Sequence, residues 1–182
     1  MDRNISFDER SKIEALFMPF VVEYLLEQPE TIEVQPADEY QQRIQDIDLL
    51  WKRAYRGEAN WKTIEVKVDT QAHKTGNFVF ETISNKQAKT IGCFLKSEAD
   101  YLYYLFAGAG VLWRMPFGVA RDWFLREIKA NPERFRIVEP STPASNGRKG
   151  YTSEAYLIPV SALRRGLEHD LRQAIIEVPP LP

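Results

Sequence analysis

The sequence predicts a mixed α/β fold in which helices flank a mixed central sheet. Three observations lead to this prediction: an apolar helical stripe near the N-terminus, an alternating strand at 61–69, and an element order of helix, strands, helix, strand pair and helix. With 182 residues, 44% of them hydrophobic, the chain can bury one core of ordinary size. We therefore expect a single domain over 1–182, with a core at about 6–138 and an extension at 151–176.

The first predicted element is a helix over residues 6–28. Ser6 and Glu9 have the spacing of a capping box, and Pro29 follows the last turn. Pro19 lies inside the helical pattern and predicts a kink or a division into two helices. Apolar residues recur at intervals of three and four, which is typical of one buried face; they are Ile13, Leu16, Phe17, Phe20, Val21, Tyr24 and Leu25.

The segments that follow predict the strands of the sheet. The clearest strand is 61–69, because Ile64, Val66 and Val68 alternate with charged residues. A turn at 74–77 leads from it to the next strand. The other strands of this half are expected at 31–34, 44–53 and 78–83.

The second half of the chain predicts further strands and two helices. Its hairpin turns across a Gly- and Ala-rich segment, and its long loop is rich in Pro, Ser, Asn and Gly. In order, we expect a short turn or a single helical turn at 95–100, paired strands at 101–106 and 111–115, a helix at 117–130, a strand at 135–138, a loop at 140–150, a strand at 154–160, and a helix at 161–176 capped by Ser161.

Charge and cysteine content exclude several classes of protein. The 24 Lys and Arg residues nearly balance 26 Asp and Glu residues, so any binding to nucleic acid or to an anionic membrane must come from local patches. The single cysteine, Cys93, excludes an internal disulfide framework and a cysteine-based zinc cluster. The N-terminus does not resemble a signal peptide, and no apolar run approaches the ~18 residues of a membrane span. We expect a soluble cytoplasmic protein with no membrane partner.

Two carboxylates and a lysine are predicted to meet on neighbouring strands. Residues two apart on a strand point to the same face, about 6.5 Å apart, so Glu65 and Lys67 share the face opposite the apolar residues. If the strand after Asp48 pairs with this one, a strand spacing of about 4.8 Å brings the Asp48 carboxylate beside Glu65. Such a group can hold a hard divalent cation, which activates water and neutralises phosphate charge. The lysine could orient or deprotonate the attacking water, or stabilise the developing negative charge.

A structural interpretation of these charges stays open, because a Glu-x-Lys triplet is common in sequences of this length. The same side chains could simply pair on a solvated sheet, at roughly 0.2–1 kcal/mol per pair. A site is favoured by the combination of a clear strand, an aspartate on the preceding strand and an amphipathic helix before both.

The spacing of Asp48 and Glu65-Val66-Lys67, in which Glu65 follows Asp48 by 17 positions, resembles the active-site core of the PD-(D/E)xK nuclease superfamily. That superfamily includes restriction endonucleases, archaeal-type Holliday junction resolvases and some homing endonucleases. The wider pattern, 64–69 followed by 74–77, Phe80-Glu81 and 96–101, is similar to small phage and bacterial members. The resemblance covers roughly residues 10–130 in the order of elements and implies a restriction-endonuclease-like fold.

The resemblance also implies a metal site and a catalytic lysine. Asp48 and Glu65, with the main-chain carbonyl of Val66, would bind Mg²⁺, for which Mn²⁺ can substitute, and Lys67 would be catalytic. The proline that gives the superfamily its name is absent before Asp48, so Asp46 stays open as an alternative ligand.

Members of the superfamily often add a carboxylate from the first helix. Here Glu14 is the first choice and Glu23 the reserve, since both flank the buried stripe.

Polar residues after the Glu65 strand and in the Gly-rich loop are candidates for contacts with DNA. Thr75-Gly76-Asn77 could position a phosphate through backbone N–H groups, or could simply be a turn between strands. Contacts that position a phosphate need no base specificity. The candidates are Gln71, Thr75, Asn77, Arg148 and Lys149.

Together these features predict a Mg²⁺-dependent endonuclease, a hydrolase that cleaves phosphodiester bonds in DNA. One such site cuts one strand, so cutting both strands or a junction would require a homodimer or a higher homo-oligomer. Two alternatives stay open: a nuclease-fold module that binds DNA or protein without cutting, and an unrelated α/β domain whose charge pairs are structural.

Overall fold

The computed structural model describes residues 7–144, 149–167 and 175–177, which form twelve strands and five α-helices. The strands are β1 (Thr31–Pro36), β2 (Leu49–Tyr55), β3 (Glu58–Asp69), β4 (Asn77–Asn85), β5 (Thr90–Ile91), β6 (Tyr101–Phe106), β7 (Val111–Pro116), β8 (Arg136–Val138), β9 (Ser141–Thr142), β10 (Tyr151–Thr152), β11 (Glu154–Pro159) and β12 (Ile175–Glu177). The helices are α1 (Phe7–Leu26), α2 (Ala72–Thr75), α3 (Cys93–Lys96), α4 (Phe117–Ala130) and α5 (Val160–Gly166).

A six-stranded sheet in the order β1-β2-β3-β6-β7-β12 forms the centre of the molecule. Strands β3 and β6 are parallel, and every other neighbouring pair is antiparallel. The predicted mixed α/β class, with a mixed central sheet flanked by helices, is confirmed. The hairpin of β6 and β7 and the helix α4 follow the sequence prediction closely.

Helix α1 packs on one face of this sheet. Its Phe17, Val21 and Leu25 are buried at helical spacing against Ile64 and Val66 of β3. The alternation of β3 therefore directs its apolar residues toward α1, as the sequence predicts. None of the helices in the described part of the chain combines the length and apolar character needed to cross a membrane.

Strands β2 and β3 form an antiparallel hairpin that is continuous in register over all seven residues of β2. The turn residues Arg56 and Gly57 both have positive φ, of 53° and 83°. Two successive left-handed residues are typical of a type I′ turn, whose twist matches that of the paired strands. The hairpin thus fixes which residues of β2 lie opposite which residues of β3.

A smaller four-stranded sheet, in the order β5-β4-β11-β8, packs on the opposite face of the central sheet. The ring of Phe78 on β4 lies 5.1 Å from that of Tyr104 on β6 and 5.3 Å from that of Trp113 on β7. Phe124 of α4 meets Phe80 of β4 edge to face. Strand β11, which the sequence places in a C-terminal extension, lies between β4 and β8 in this sheet.

One difference from the sequence prediction lies just before β2. The sequence predicts an extended segment over 44–53, but Gln41–Gln45 forms a single π-helical turn. The turn ends at Asp46, which has a left-handed conformation with φ of 48°. Only the part from Leu49 onward is a strand, so the prediction is wrong for its first residues.

The C-terminal region also differs from its prediction. Helix α5 begins at Val160 after Pro159, so Ser161 lies inside the helix and is not its cap. The sequence predicts that this helix continues to residue 176, whereas Ile175–Glu177 is a strand paired with β7. An extended partner at the sheet edge can override the helical preference of a short segment.

Smaller differences concern the N-terminal helix and the turns. Helix α1 is not divided at Pro19, and the predicted cap at Ser6 lies outside the described residues. The predicted turn at 74–77 overlaps the short helix α2. Of the two alternatives at 95–100, the structure has the single helical turn, α3, which begins earlier, at Cys93, and ends at Lys96.

Candidate active site

The two predicted carboxylates meet where the pairing of β2 with β3 ends. The backbone N–H of Asp48 donates to the carbonyl of Ile64 at 2.8 Å. The Asp48 carboxylate then accepts a hydrogen bond from the Val66 N–H at 2.7 Å, and its side chain is also hydrogen-bonded to that of Glu65. The Asp48 side chain therefore continues the hydrogen bonding between the two strands beyond the end of β2. This hydrogen bond holds the Asp48 carboxylate beside Glu65.

Burial governs the protonation of this pair. Glu65 is only 4% exposed, and burial raises its pKa to about 8. Asp48 and Asp46 raise the pKa of Glu65 further, whereas Lys67 lowers it. Burial also raises the pKa of Asp48, against the Val66 hydrogen bond, which lowers it. At neutral pH the protonated Glu65 carboxyl donates to the Asp48 carboxylate, so the two acids share one proton.

Lys67 lies directly beside this pair. Its ammonium nitrogen is 3.4 Å from the Glu65 carboxylate, and its side chain is 34% exposed. The pKa of Lys67 is raised well above its usual value, by the charge that Cys93 carries when ionised and by the carboxylates of Glu65, Glu14 and Glu81, against burial, which lowers it. Lys67 is thus a cation at neutral pH.

The neighbouring thiol is neutral under the same conditions. Burial raises the pKa of Cys93 to about 12, although Lys67 lowers it. Since a thiol with that pKa carries no charge near pH 7 and Glu65 is protonated there, the carboxylates that hold the Lys67 proton are those of Glu14 and Glu81. Lys67 is therefore suited to stabilise negative charge or to donate a proton, and not to act as a base.

Asp46, the alternative ligand, has a different position in the structure. Its carboxylate is ion-paired with Lys96 of α3 at 3.1 Å, and its main-chain carbonyl accepts a hydrogen bond from the Ser97 hydroxyl at 2.8 Å. These contacts fasten the π-helical turn to α3. The aspartate that meets Glu65 is Asp48.

The structure also separates the two candidate carboxylates of α1. Glu14 is half-buried, and its charge acts on Lys67. Glu23 lies on the exposed surface of the same helix. Of the two, Glu14 is the carboxylate whose charge acts on Lys67.

Three residues that lie near Lys67 or Asp46 are not among the metal ligands or catalytic residues that the sequence predicts. Cys93 and Glu81 act electrostatically on Lys67, and Lys96 holds Asp46. No local pattern marks them, because the packing of α3 and β4 against the central sheet brings them to the site. Glu81 and Lys96 do belong to the Phe80-Glu81 and 96–101 segments on which the resemblance rests.

The candidate DNA-binding residues lie mostly in a local turn. The Asp69 carboxylate accepts the N–H groups of Gln71 and Ala72 at 2.7 and 2.8 Å, which begins α2. The Asn77 side chain donates to the Thr75 carbonyl at 2.9 Å across the turn. Gln71 and Thr75 are exposed. The side chain of Asn77 is thus used by the turn, whereas the other two face solvent.

The remaining candidates lie in the loop after β9. Lys149 is exposed between β9 and β10, and Arg148 lies outside the described residues.

A cavity of about 330 Å³ opens beside Asp48, between α1 and β1. Its size is at the lower end of the range for small-molecule pockets. The walls come from the apolar side of α1, the end of β1 and the π-helical turn; they include Met18, Val22, Val34, Gln35, Pro36 and Gln42. The cavity borders Asp48 on the α1 side, whereas Glu65 and Lys67 point to the other face of β3.

The residues fit a divalent cation by their chemistry. The buried Glu65 and the half-buried Asp48 share a proton and offer the oxygen ligands that Mg²⁺ prefers, and a cation can take the place of the proton. Within the described residues, no three His, Cys, Asp or Glu side chains form a group that could hold a metal ion. The predicted set has two side-chain carboxylates and one main-chain carbonyl, so water would complete the coordination.

The chain matches no protein-family model, no curated protein and no solved structure. A function for it therefore rests on the chemistry of Asp48, Glu65 and Lys67.

The buried acid pair predicts that the metal-free protein loses stability as pH rises. The pKa of Glu65 is about 8 in the folded state, against an ordinary value of 4.5, so between these values the folded state binds more protons than the unfolded chain. The free energy of unfolding should then fall, by on the order of a few kcal/mol, from about pH 4.5 to about pH 8. Urea unfolding in a chelating buffer at several pH values measures this, and Glu65→Gln should flatten the dependence. A stability that rises across the same window would contradict the raised pKa.

Proposed function

We propose that the protein is a metal-dependent endonuclease that hydrolyses phosphodiester bonds in DNA. The observation that carries the proposal is the half-buried Asp48 hydrogen-bonded to the buried Glu65, beside the ammonium of Lys67. Two adjacent acids, one of them buried, have a cost in stability that a merely structural sheet has no need to bear. Strongly perturbed pKa values in such a cluster are typical of functional sites.

In this proposal Asp48, Glu65 and the carbonyl of Val66 hold Mg²⁺ or Mn²⁺. When bound, the cation lowers the pKa of water and neutralises charge on the phosphate under attack. The Val66 N–H fixes the Asp48 carboxylate, so that ligand is oriented before a cation arrives. Glu65 loses the proton that it shares with Asp48.

Lys67 and Glu14 complete the proposed site. The Lys67 ammonium, which is partly exposed, lies against the phosphate and stabilises the negative charge that develops on its oxygens. Glu14 acts on Lys67 electrostatically from α1 and helps to keep its proton. The alternative role of Lys67 as a base is disfavoured by its raised pKa.

We further propose that the fold is restriction-endonuclease-like and that the active form is a homodimer or a higher homo-oligomer. The fold proposal is supported by the pairing of β2 with β3, which brings Asp48, just before β2, beside Glu65-Val66-Lys67, with α1 packed against these strands. The oligomer proposal follows from the single site per chain, because two cuts in a duplex need two sites.

Incubation of the purified protein with supercoiled, linear and four-way-junction DNA tests the proposal. We expect cleavage of at least one substrate with Mg²⁺ or Mn²⁺ and none with a chelator. Glu14→Gln should slow cleavage, whereas Glu23→Gln, on the exposed side of the same helix, should not. A protein that binds DNA but cuts none of the substrates with either metal would contradict the nuclease and favour the non-cleaving module.

A further inference from the structure

The β2–β3 hairpin carries an exposed tryptophan on the same face as the candidate active site. Along β3, Trp61, Thr63, Glu65 and Lys67 are two residues apart, so their side chains lie on one face of the sheet. Trp61 is 42% exposed, whereas Glu65 is buried. Four residues of strand place the indole about 13 Å from Glu65 along the chain. Trp61 is therefore within reach of a substrate that occupies the site.

One cation lies against this tryptophan, in a hairpin that is rich in basic residues. Lys52 is the register partner of Trp61, and its ammonium nitrogen lies 5.5 Å from the centre of the indole ring. The chain as a whole has a net charge of −2, so the hairpin is a local positive patch. Residues 49–63 contain four basic side chains and one acidic one, namely Lys52, Arg53, Arg56 and Lys62 against Glu58.

We propose that Trp61 is a stacking platform for an unpaired base of the DNA substrate, with Lys52 against a neighbouring phosphate; this inference rests on the proposed nuclease function. An aromatic ring beside cations is the combination by which proteins bind single-stranded nucleic acid. Bases in a duplex present their edges in the grooves while their faces are covered by stacking, so an exposed indole needs an unpaired base.

The distance between Trp61 and Glu65 specifies where the unpaired base lies. A stacked strand advances 3.4 Å per nucleotide, so 13 Å corresponds to about four stacked nucleotides, and to fewer in an extended strand. The substrate class that fits is DNA with an unpaired stretch beside the cut, such as a single strand, a flap or a branch.

The hairpin offers a matched control on its other face. Tyr55 is 51% exposed, and the guanidinium groups of Arg53 and Arg56 lie 5.4 and 5.2 Å from its ring. It is four residues from Trp51, which is buried on the α1 side of the sheet, so Tyr55 faces away from the site. Tyr55→Ala therefore removes an aromatic ring that is similarly exposed and also next to cations, but that lies on the opposite face of the hairpin from Trp61.

Fluorescence anisotropy with the full chain and a chelator tests the proposal without cleavage. The probes are a labelled oligothymidine, an abasic strand of the same length and a duplex. We expect Trp61→Ala to raise the Kd for oligothymidine by about 5- to 150-fold, the range of one base stack. Trp61→Leu, which keeps apolar bulk without a ring, should lose as much affinity for oligothymidine as Trp61→Ala does. Trp61→Phe should retain most of the affinity. No variant should alter binding to the abasic strand or the duplex, and Tyr55→Ala should alter none of the three.

An unchanged Kd for Trp61→Ala, an equal loss for Tyr55→Ala, or an equal loss on the abasic strand would each overturn the stacking proposal. Cleavage with Mg²⁺ is assayed separately on the same variants. A protein that binds oligothymidine through Trp61 but cuts no DNA contradicts the nuclease and supports the stacking site. A protein that cuts DNA while Trp61→Ala binds all three probes as the parent does overturns only the stacking site.

Discussion

Replacement of Lys67 by alanine is expected to slow DNA cleavage by about 10²–10³-fold while the protein stays folded. The variant lacks the positive charge that lies 3.4 Å from Glu65, at the point where negative charge would develop on the phosphate. Folding should survive because the side chain is partly exposed and leaves no core cavity. Because Lys67 lowers the pKa of Glu65, its loss leaves Glu65 protonated at neutral pH, as it is in the parent. The initial rate of nicking of supercoiled DNA, together with thermal unfolding, measures both effects.

Lys62 on the same strand is the matched control for this experiment. Its side chain has the same exposure as that of Lys67, 34%, and is ion-paired with Asp100 at 3.0 Å. Lys62 is an odd number of residues from Lys67, so it lies on the other face of β3. Lys62→Ala should cut within about threefold of the parent rate, as for a surface ion pair. Equal rates for Lys67→Ala and the parent would exclude a catalytic role for Lys67.

The pairing at the centre of the site could be predicted from the sequence because it depends on local rules. The alternation of Ile64, Val66 and Val68 defines the strand and its faces. The same period of two places Glu65 and Lys67 together, and the short connection to β2 makes an antiparallel neighbour, with Asp48 at its start, the simplest arrangement. Helix α1 was predictable for the same reason, since its buried stripe follows the helical period.

The π-helical turn before β2 could not be predicted from local sequence. Ile44 and Ile47 suggest an extended segment, because β-branched residues favour strands. What holds Asp46 in its left-handed conformation is contact with Lys96 and Ser97, fifty and fifty-one positions away in the chain. Tertiary contacts of this kind override local preference, and a sequence pattern carries no sign of them.

The burial of Glu65 could not be predicted from the sequence either. Alternation predicts a polar face on β3, and a solvated row of charges is the ordinary structure of such a face. The second sheet packs over that side of the central sheet instead, and Glu65 is left 4% exposed. This burial is the main cause of its raised pKa, and it makes simple surface charge pairing a poor account of Glu65.

Mg²⁺ or Mn²⁺ is expected to raise the melting temperature of the protein, most strongly near pH 8. We expect the metal-free protein to be less stable near pH 8 than at lower pH, because the buried Glu65 ionises at this pH beside Asp48. A cation bound only by the folded state removes this repulsion and stabilises by mass action. At a free cation concentration of about 100 times the Kd, the free energy of unfolding rises by about 2.7 kcal/mol. For a chain of this size this raises the melting temperature by about 5–10 °C.

Neutral variants of the two acids separate a metal site from structural charges. Glu65→Gln and Asp48→Asn should abolish the metal-induced rise, and at pH 8 without metal they should be as stable as the parent or more stable, since no buried charge has to form. Glu23→Gln, which alters an exposed carboxylate of α1, should respond to metal as the parent does. Carboxylates that only pair with lysines would show the reverse, with a small loss of stability on neutralisation and no response to metal. A parent protein whose melting temperature ignores millimolar Mg²⁺ and Mn²⁺ at pH 8, with and without DNA, would contradict the metal site, because ligands bound to the folded state must shift its unfolding.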